Sequence, residues 1–297
     1  MLQGELVRDS PRSFFGRTSW RVGCGRAESV LYCEARLALS RFGEETLNNR
    51  AVGCASTPDE NASGLLPDAV DPLRYDVDRP LDPDEVPGIV AKMIPIGSRV
   101  LDVGCGGGML TKVLSDACHG EFVGIEPDHA RAERAAERGL NILVGLFNRE
   151  IVRELRPFDI VLLADVLEHL TNPQAMLMTC REVLKPRGAI IISVPNVAHW
   201  SVRAELLQGR FRYQPTGIMD ATHLRWFTVS SAKSLIASAG FKVVVYRASA
   251  GVTAPDNLNR VPLCWLPSVY RTPLLRVASK RWPTLFGLQH VMKAEMQ

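Results

Sequence analysis

Apolar positions along this chain fall into two regimes. Through residues 1–70 they keep neither a helical nor a strand period, and Arg, Ser, Gly and Asn are mixed among them. Only residues 31–42 offer a short amphipathic helix, so this part is expected to be a poorly structured leader. From Tyr75 the pattern sharpens: Asp82-Pro83 offers a helix cap and first-turn proline before an apolar-periodic stretch through Ile94. Strands at residues 99–103, 121–125, 141–144, 159–163 and 189–194 then alternate with helices at 109–117, 128–138 and 173–184. Several of the strands are unbroken apolar runs, the pattern of a parallel sheet covered by helices on both faces. The pattern therefore predicts a doubly wound α/β domain. Its ligand crevice is expected at the carboxyl ends of the strands, where the loops after Val103, Ile125 and Leu163 converge.

After Val194 the rhythm changes. Residues 196–228 are rich in aromatics and arginines and read as an insertion or lid after the fifth strand. A helix at 229–239 ending at Gly240 and a strand at 241–246 follow. A proline-punctuated basic connection, 255–283, leads to a final strand at 285–294. The organisation expected is a leader (1–70), a ligand-binding domain (71–250) and a basic C-terminal segment (251–297) that completes the sheet.

Charge changes this picture only at the C-terminal third. Residues 201–297 carry 13 Lys/Arg and 4 Asp/Glu, a net of +9, and the total of +3 leaves −6 for residues 1–200. Arg271, Arg276, Lys280 and Arg281 alternate with Leu274, Leu275, Val277 and Trp282, so a basic amphipathic helix fits between the prolines. It reads either as a solvated face covering the sheet or as an attraction to an anionic surface, a membrane leaflet included. The scattered arginines come with no nucleic-acid-binding module, and no nucleic acid partner is expected. Seven cysteines form no paired framework, and Cys24, Cys33 and Cys54 match no metal-knuckle spacing. No metal is expected. With no apolar run of membrane-spanning length and no secretory signal in the first residues, a cytoplasmic location is expected, with peripheral contact at the inner membrane face as an option.

The chemistry concentrates in Val100-Leu101-Asp102-Val103-Gly104-Cys105-Gly106-Gly107-Gly108. Glycines at 104, 106 and 108 do not continue the dinucleotide pattern, which would need glycine where Met109 stands, and no Lys-Ser/Thr pair closes a phosphate loop. Asp102, at the strand end, would repel a pyrophosphate; it suits a ligand carrying an ammonium and a sulfonium. A second apolar strand ends in Glu126, 22 residues after Gly104, where a carboxylate can accept both hydroxyls of a ribose. Asp128 reads as the cap of the next helix.

These two segments resemble the first two motifs of the class I S-adenosylmethionine-dependent methyltransferases. Residues 158–170, with Asp165, Glu168 and His169, look like the fourth-strand motif of that family, and residues 184–188 like the turn before its fifth strand. The resemblance spans roughly residues 75–250 and includes the ubiquinone-biosynthesis O-methyltransferases and a methyltransferase-like group associated with methionine biosynthesis. It implies a seven-stranded Rossmann-like sheet and S-adenosyl-L-methionine as cofactor. Asp102, Gly104, Cys105, Gly106 and Gly108 would face the methionine portion, Glu126 the ribose, Leu146 the adenine, and Ala164 and Asp165 the far side. Many relatives place an acid after the third strand, whereas residues 144–148 have none.

Methyl transfer to a hydroxyl needs alignment and a base near neutral pKa. His169, His199 and His223 are the candidates, with Asp165 a further one; His223 and Arg225 would alternatively pin the lid to the sheet. Trp200, Phe211, Tyr213 and Trp226 would line an apolar or sugar-binding acceptor site, or simply pack the insertion. The resemblance implies a small-molecule or lipid- or glycan-linked acceptor, methylated at oxygen, with carbon and nitrogen open. A cofactor-binding protein without turnover, and a nicotinamide dehydrogenase disfavoured by Asp102, are the competing readings.

Overall fold

The computed structural model describes residues 81–258 and 265–297. The helix expected at 31–42 and the three N-terminal cysteines lie outside them. Strands β1 (Arg99–Val103), β2 (Glu121–Glu126), β3 (Asn141–Val144), β4 (Phe158–Ala164), β5 (Leu184–Pro195), β6 (Phe241–Ala248) and β7 (Gln289–Met296) form one sheet in the order β3-β2-β1-β4-β5-β7-β6. The first five run parallel, and β7 enters antiparallel between β5 and β6.

The apolar runs work as the two-residue period demands. In β4, Val161 and Leu163 face one layer and Ile160 and Leu162 the other; in β5, Ile190 and Ile192 oppose Ile191 in the same way. One layer is completed by α4 (Arg149–Glu154), α5 (Pro173–Val183) and α7 (Val229–Ser238), the other by α1 (Val86–Met93) and α2 (Met109–Cys118). Each fully buried Leu or Ile adds about 1.5–3 kcal/mol of apolar burial, so both faces anchor the central strands.

The chain reverses direction of travel across the sheet between β1 and β4, and that switch point sets the crevice. Helix α3 (His129–Glu137) starts on Asp128, whose Oδ1 accepts the Arg131 N–H at 3.1 Å. Helices α4 and α6 (Trp200–Leu207) were not anticipated, although Asn148 caps α4 by accepting two backbone N–H groups.

Three boundaries differ from the sequence pattern. Asp82 does not cap α1: Glu85 holds that position, while Asp82 accepts the Asp84 N–H and binds the Arg276 guanidinium. Strand β5 begins at Leu184, because Phe158 pairs with Leu184 across a bulge before the ladder regains register at Ala189. The last strand begins at Gln289, four residues late, because Pro283 starts a one-turn helix, α10 (Pro283–Phe286). The basic connection contains α8 (Pro255–Leu258) and α9 (Ser268–Arg281).

Candidate active site

The loop after β1 carries Gly104, Gly106 and Gly108 at φ +75°, +57° and +78°, a conformation that side chains other than glycine strain to adopt. At Gly108 a Cβ would also stand 2.5 Å from Leu140 Cδ1 and 2.7 Å from Ala135 Cβ, so the loop lies directly on the α3–β3 corner. At Gly106 a Cβ would meet nothing within 4 Å. Here the backbone borders open space, as a loop that receives a ligand must. The Cys105 Sγ lies instead against Gly124 in β2, where a Cβ would be 2.6 Å from it. Burial and the nearby Asp102 and Glu126 charges push this thiol up, so it stays protonated and only its backbone is available to a ligand.

Two carboxylates brace the loop. Asp102 is 2% exposed and accepts the Thr111 hydroxyl at 2.6 Å; burial raises its pKa to about 6, opposed by that hydrogen bond. Glu126 accepts the Gly106 N–H at 2.9 Å and the Asp128 N–H at 3.0 Å, and burial raises it as well. A carboxylate has about four lone-pair sites, so both oxygens keep capacity for further donors. Leu146 is 36% exposed beside β3.

At the end of β4, Ala164 is half-buried and Asp165 sits at φ +55°. Asp165 accepts the Ser193 hydroxyl from β5 at 2.6 Å and the Gln289 amide from β7 at 2.7 Å. A strained backbone held from two neighbouring strands marks a position the fold over-determines. Ser193 and Gln289 were not singled out from the sequence; nothing local to Gln289 announces a partner 124 residues away.

The three candidate histidines separate. His169, on the 3-10 turn Leu167–His169, points Nδ1 at the Thr222 carbonyl, 3.2 Å away. A carbonyl only accepts, so Nδ1 carries the proton and Nε2 of the neutral ring keeps its lone pair. Burial, then the neighbouring His223, lowers the His169 pKa, which keeps the ring neutral near pH 7. His223 meets His169 edge to face at 4.8 Å and directs its own Nδ1 at the Ile218 carbonyl, 3.1 Å away. His199, the third candidate, has different surroundings. It is fully buried, its Nδ1 lies 2.8 Å from the Ser201 hydroxyl, it caps α6, and its ring contact is Trp200. These contacts are those of a helix start.

Glu168 stands in the sequence as part of the fourth-strand motif, with no role of its own assigned there. It is 1% exposed, and apart from its own backbone its carboxyl oxygens meet no hydrogen-bond partner among the described residues. Burial, then the charge of Asp165, raises its pKa well above the ordinary carboxylate value. Its carbonyl accepts the Leu224 and Arg225 N–H groups at 2.8 and 3.0 Å, and the Arg225 guanidinium donates to the Leu170 and Thr171 carbonyls. Arg225 thus pins the 196–228 segment to the loop after β4. Asp220 holds the Thr222 N–H and hydroxyl at 2.7 Å each, fixing the carbonyl that orients His169. One ligand-capable atom from each of Glu168, His169 and His223 lies within 4.8 Å of the others, close enough to hold a cation as well as a proton.

Beyond this cluster, Phe211, Tyr213 and Trp226 meet edge-on or tilted at 5.5–6.2 Å between ring centroids. The first two are half exposed, and the buried Trp226 indole N–H has no partner among the described residues. Trp200 is elsewhere, bonded to Asn257 Oδ1 at 3.2 Å. A cavity of about 280 Å³ at the opposite, amino end of the strands is lined by Asp159, Arg187 and Lys293 and does not reach the glycine loop.

Residues 71–246 match the family model described as a methyltransferase domain. Among curated proteins, the ubiquinone biosynthesis O-methyltransferase of Xylella fastidiosa is 31% identical over 113 residues, 36% of this chain and 46% of that protein. That of Coxiella burnetii is 36% identical over 106 residues, 34% of this chain and 44% of that protein. The chain thus matches less than half the length of these relatives. A solved structure described as a SAM dependent methyltransferase from Archaeoglobus fulgidus is 20% identical, with a TM-score of 0.49 over 71% of this chain and 92% of that one.

Proposed function

The chain belongs to the methyltransferase-domain family, in the class that uses S-adenosylmethionine, and from that premise we propose that it methylates a hydroxyl oxygen of a small-molecule acceptor. The residues present fit the cofactor. Open space beside Gly106 admits it, Asp102 supplies a buried negative charge that a cation would relieve, and Glu126 offers acceptors at the loop's edge. Bound there, the cofactor supplies an electrophilic methyl group on a sulfonium.

The observation that carries the reading is His169. Its Nδ1 is committed to the Thr222 carbonyl, so its Nε2 is poised to take the proton of an acceptor hydroxyl. Oxygen is the atom that needs such a base, and the curated relatives above are named as O-methyltransferases. Asp220 and Thr222 position the ring, while His223 packs against it. The aromatic trio Phe211, Tyr213 and Trp226 suits an acceptor with a ring or other flat apolar face.

A second reading rests on the same three side chains. Glu168, His169 and His223 would hold a divalent cation that binds the acceptor oxygen directly. Incubating the purified protein with deuteromethyl cofactor and a panel of catechols, phenols, amines and carboxylates, followed by mass spectrometry, decides the acceptor atom. Labelled phenols or catechols are expected; labelled amines alone, or no product with tight cofactor binding, would remove the proposal. Full activity after chelation favours the proton-transfer reading, and activity restored only by added cation favours the second.

A further inference from the structure

Helix α9 turns Arg276 and Lys280 toward acids of the fold and leaves an apolar stripe exposed. Leu275, Ala278 and Ser279 are buried, and between them Arg276 reaches Asp82 and Asp84, the latter at 3.4 Å. Lys280 pairs with Asp84 at 2.6 Å. The opposite face shows Val269 at 69%, Tyr270 at 66%, Leu274 at 49% and Val277 at 63% exposed. These fall at i, i+1, i+5 and i+8, one stripe of a 3.6-residue helix. Trp265 at 78% and Trp282 at 52% stand at its two ends. The charged residues of this helix are Arg271, Arg276, Lys280 and Arg281, with no Asp or Glu; Arg276 and Lys280 meet Asp82 and Asp84.

We infer that this face of α9 docks on the surface of an anionic lipid bilayer. The helix lies in the interface, with its aliphatic stripe among the acyl chains, the two tryptophans at headgroup depth and Arg271 and Arg281 against phosphates. Charge selects this occupant over a second copy of the chain. A two-fold contact through α9 would bring Arg271 and Arg281 of each copy toward one another, whereas an anionic surface neutralises them. The helix lies on the bilayer and does not cross it: no helix among the described residues is long and apolar enough to span one. The inference stands independently of which acceptor the active site takes.

Co-sedimentation of the full chain with vesicles tests it. Vesicles of phosphatidylcholine and phosphatidylglycerol in equal parts should retain at least about tenfold more protein than phosphatidylcholine alone, and the difference should shrink at high salt, since each basic residue near such a surface counts for about fivefold. The double variant Val269→Glu/Val277→Glu changes only exposed side chains. It should lose at least about tenfold in vesicle binding while melting temperature and cofactor affinity stay unchanged. Equal retention by both vesicle types, or undiminished binding of the double variant, overturns the inference. So does a concentration-dependent dimer abolished by the double variant without any vesicle binding, which would assign the face to a second copy.

Discussion

Asp102 sits in a conflict that a cationic ligand resolves. Burial lifts its carboxyl from the ordinary 3.8 to about 6. The ligand-free fold therefore holds this proton more tightly than the unfolded chain does. The sign follows: the ligand-free fold loses stability as pH rises from about 4 through 6, by about 3 kcal/mol in all, and is level above that. Cofactor affinity should run the other way, constant above about pH 6.5 and weakening by up to about tenfold per pH unit below 6, as titration calorimetry from pH 5 to 7.5 will show. Asp102→Asn keeps an acceptor for Thr111 and removes the buried charge; we expect a higher melting temperature without ligand and a weaker, pH-independent affinity. The histidines separate in the same experimental way. His169→Asn should lower kcat about 10²–10⁴-fold with cofactor affinity intact. His199→Ala should cost about 1–2 kcal/mol of stability, read by urea denaturation, and leave kcat within about twofold, because its ring starts a helix. Asp102, Glu126 and His169 were legible in the sequence because each sits at a strand end or in a motif of fixed spacing. Glu168 was legible only as a member of the fourth-strand motif, and Ser193 and Gln289 were not legible, since a partner on β7 is set by the sheet alone.

Among the elements, those with a period or a run were legible and those set by tertiary contacts were not. The central strands announce themselves by apolar runs such as residues 160–164 and 189–194. Helix α4, of six residues, is too short to show a period, and α6 begins on a histidine, an uncommon cap. Asp82-Pro83 has the chemistry of a helix start, yet Arg276, 194 residues away, claims the carboxylate, and sequence pattern cannot foresee that competition. The glycine loop is where element and site meet. Gly108 has both a left-handed backbone and no room for a Cβ between Leu140 and Ala135. Gly108→Ala should therefore lower stability by about 1–3 kcal/mol and weaken cofactor affinity together, a coupling that thermal melts with and without cofactor will reveal.

At the scale of the molecule, the candidate site residues collect at one end of the sheet. Loops from β1, β2 and β4 and the 196–228 segment meet there; Arg225 ties that segment to the loop after β4, and Asp165 ties the same loop to β5 and β7. The site is thus only as complete as the sheet, and the sheet depends on β7. In the sheet of the described residues that strand lies between β5 and β6, and it begins 41 residues after β6 ends. A ribosome adding about 5–20 residues per second needs roughly 2–8 s to make that stretch. For those seconds β6 has emerged with no strand to join, β5 offers a long apolar edge, and Asp165 waits for Gln289. Slow codons or a stall between residues 249 and 288 would lengthen the vulnerable interval, and chaperones that shield strand edges would find their target on the nascent chain there.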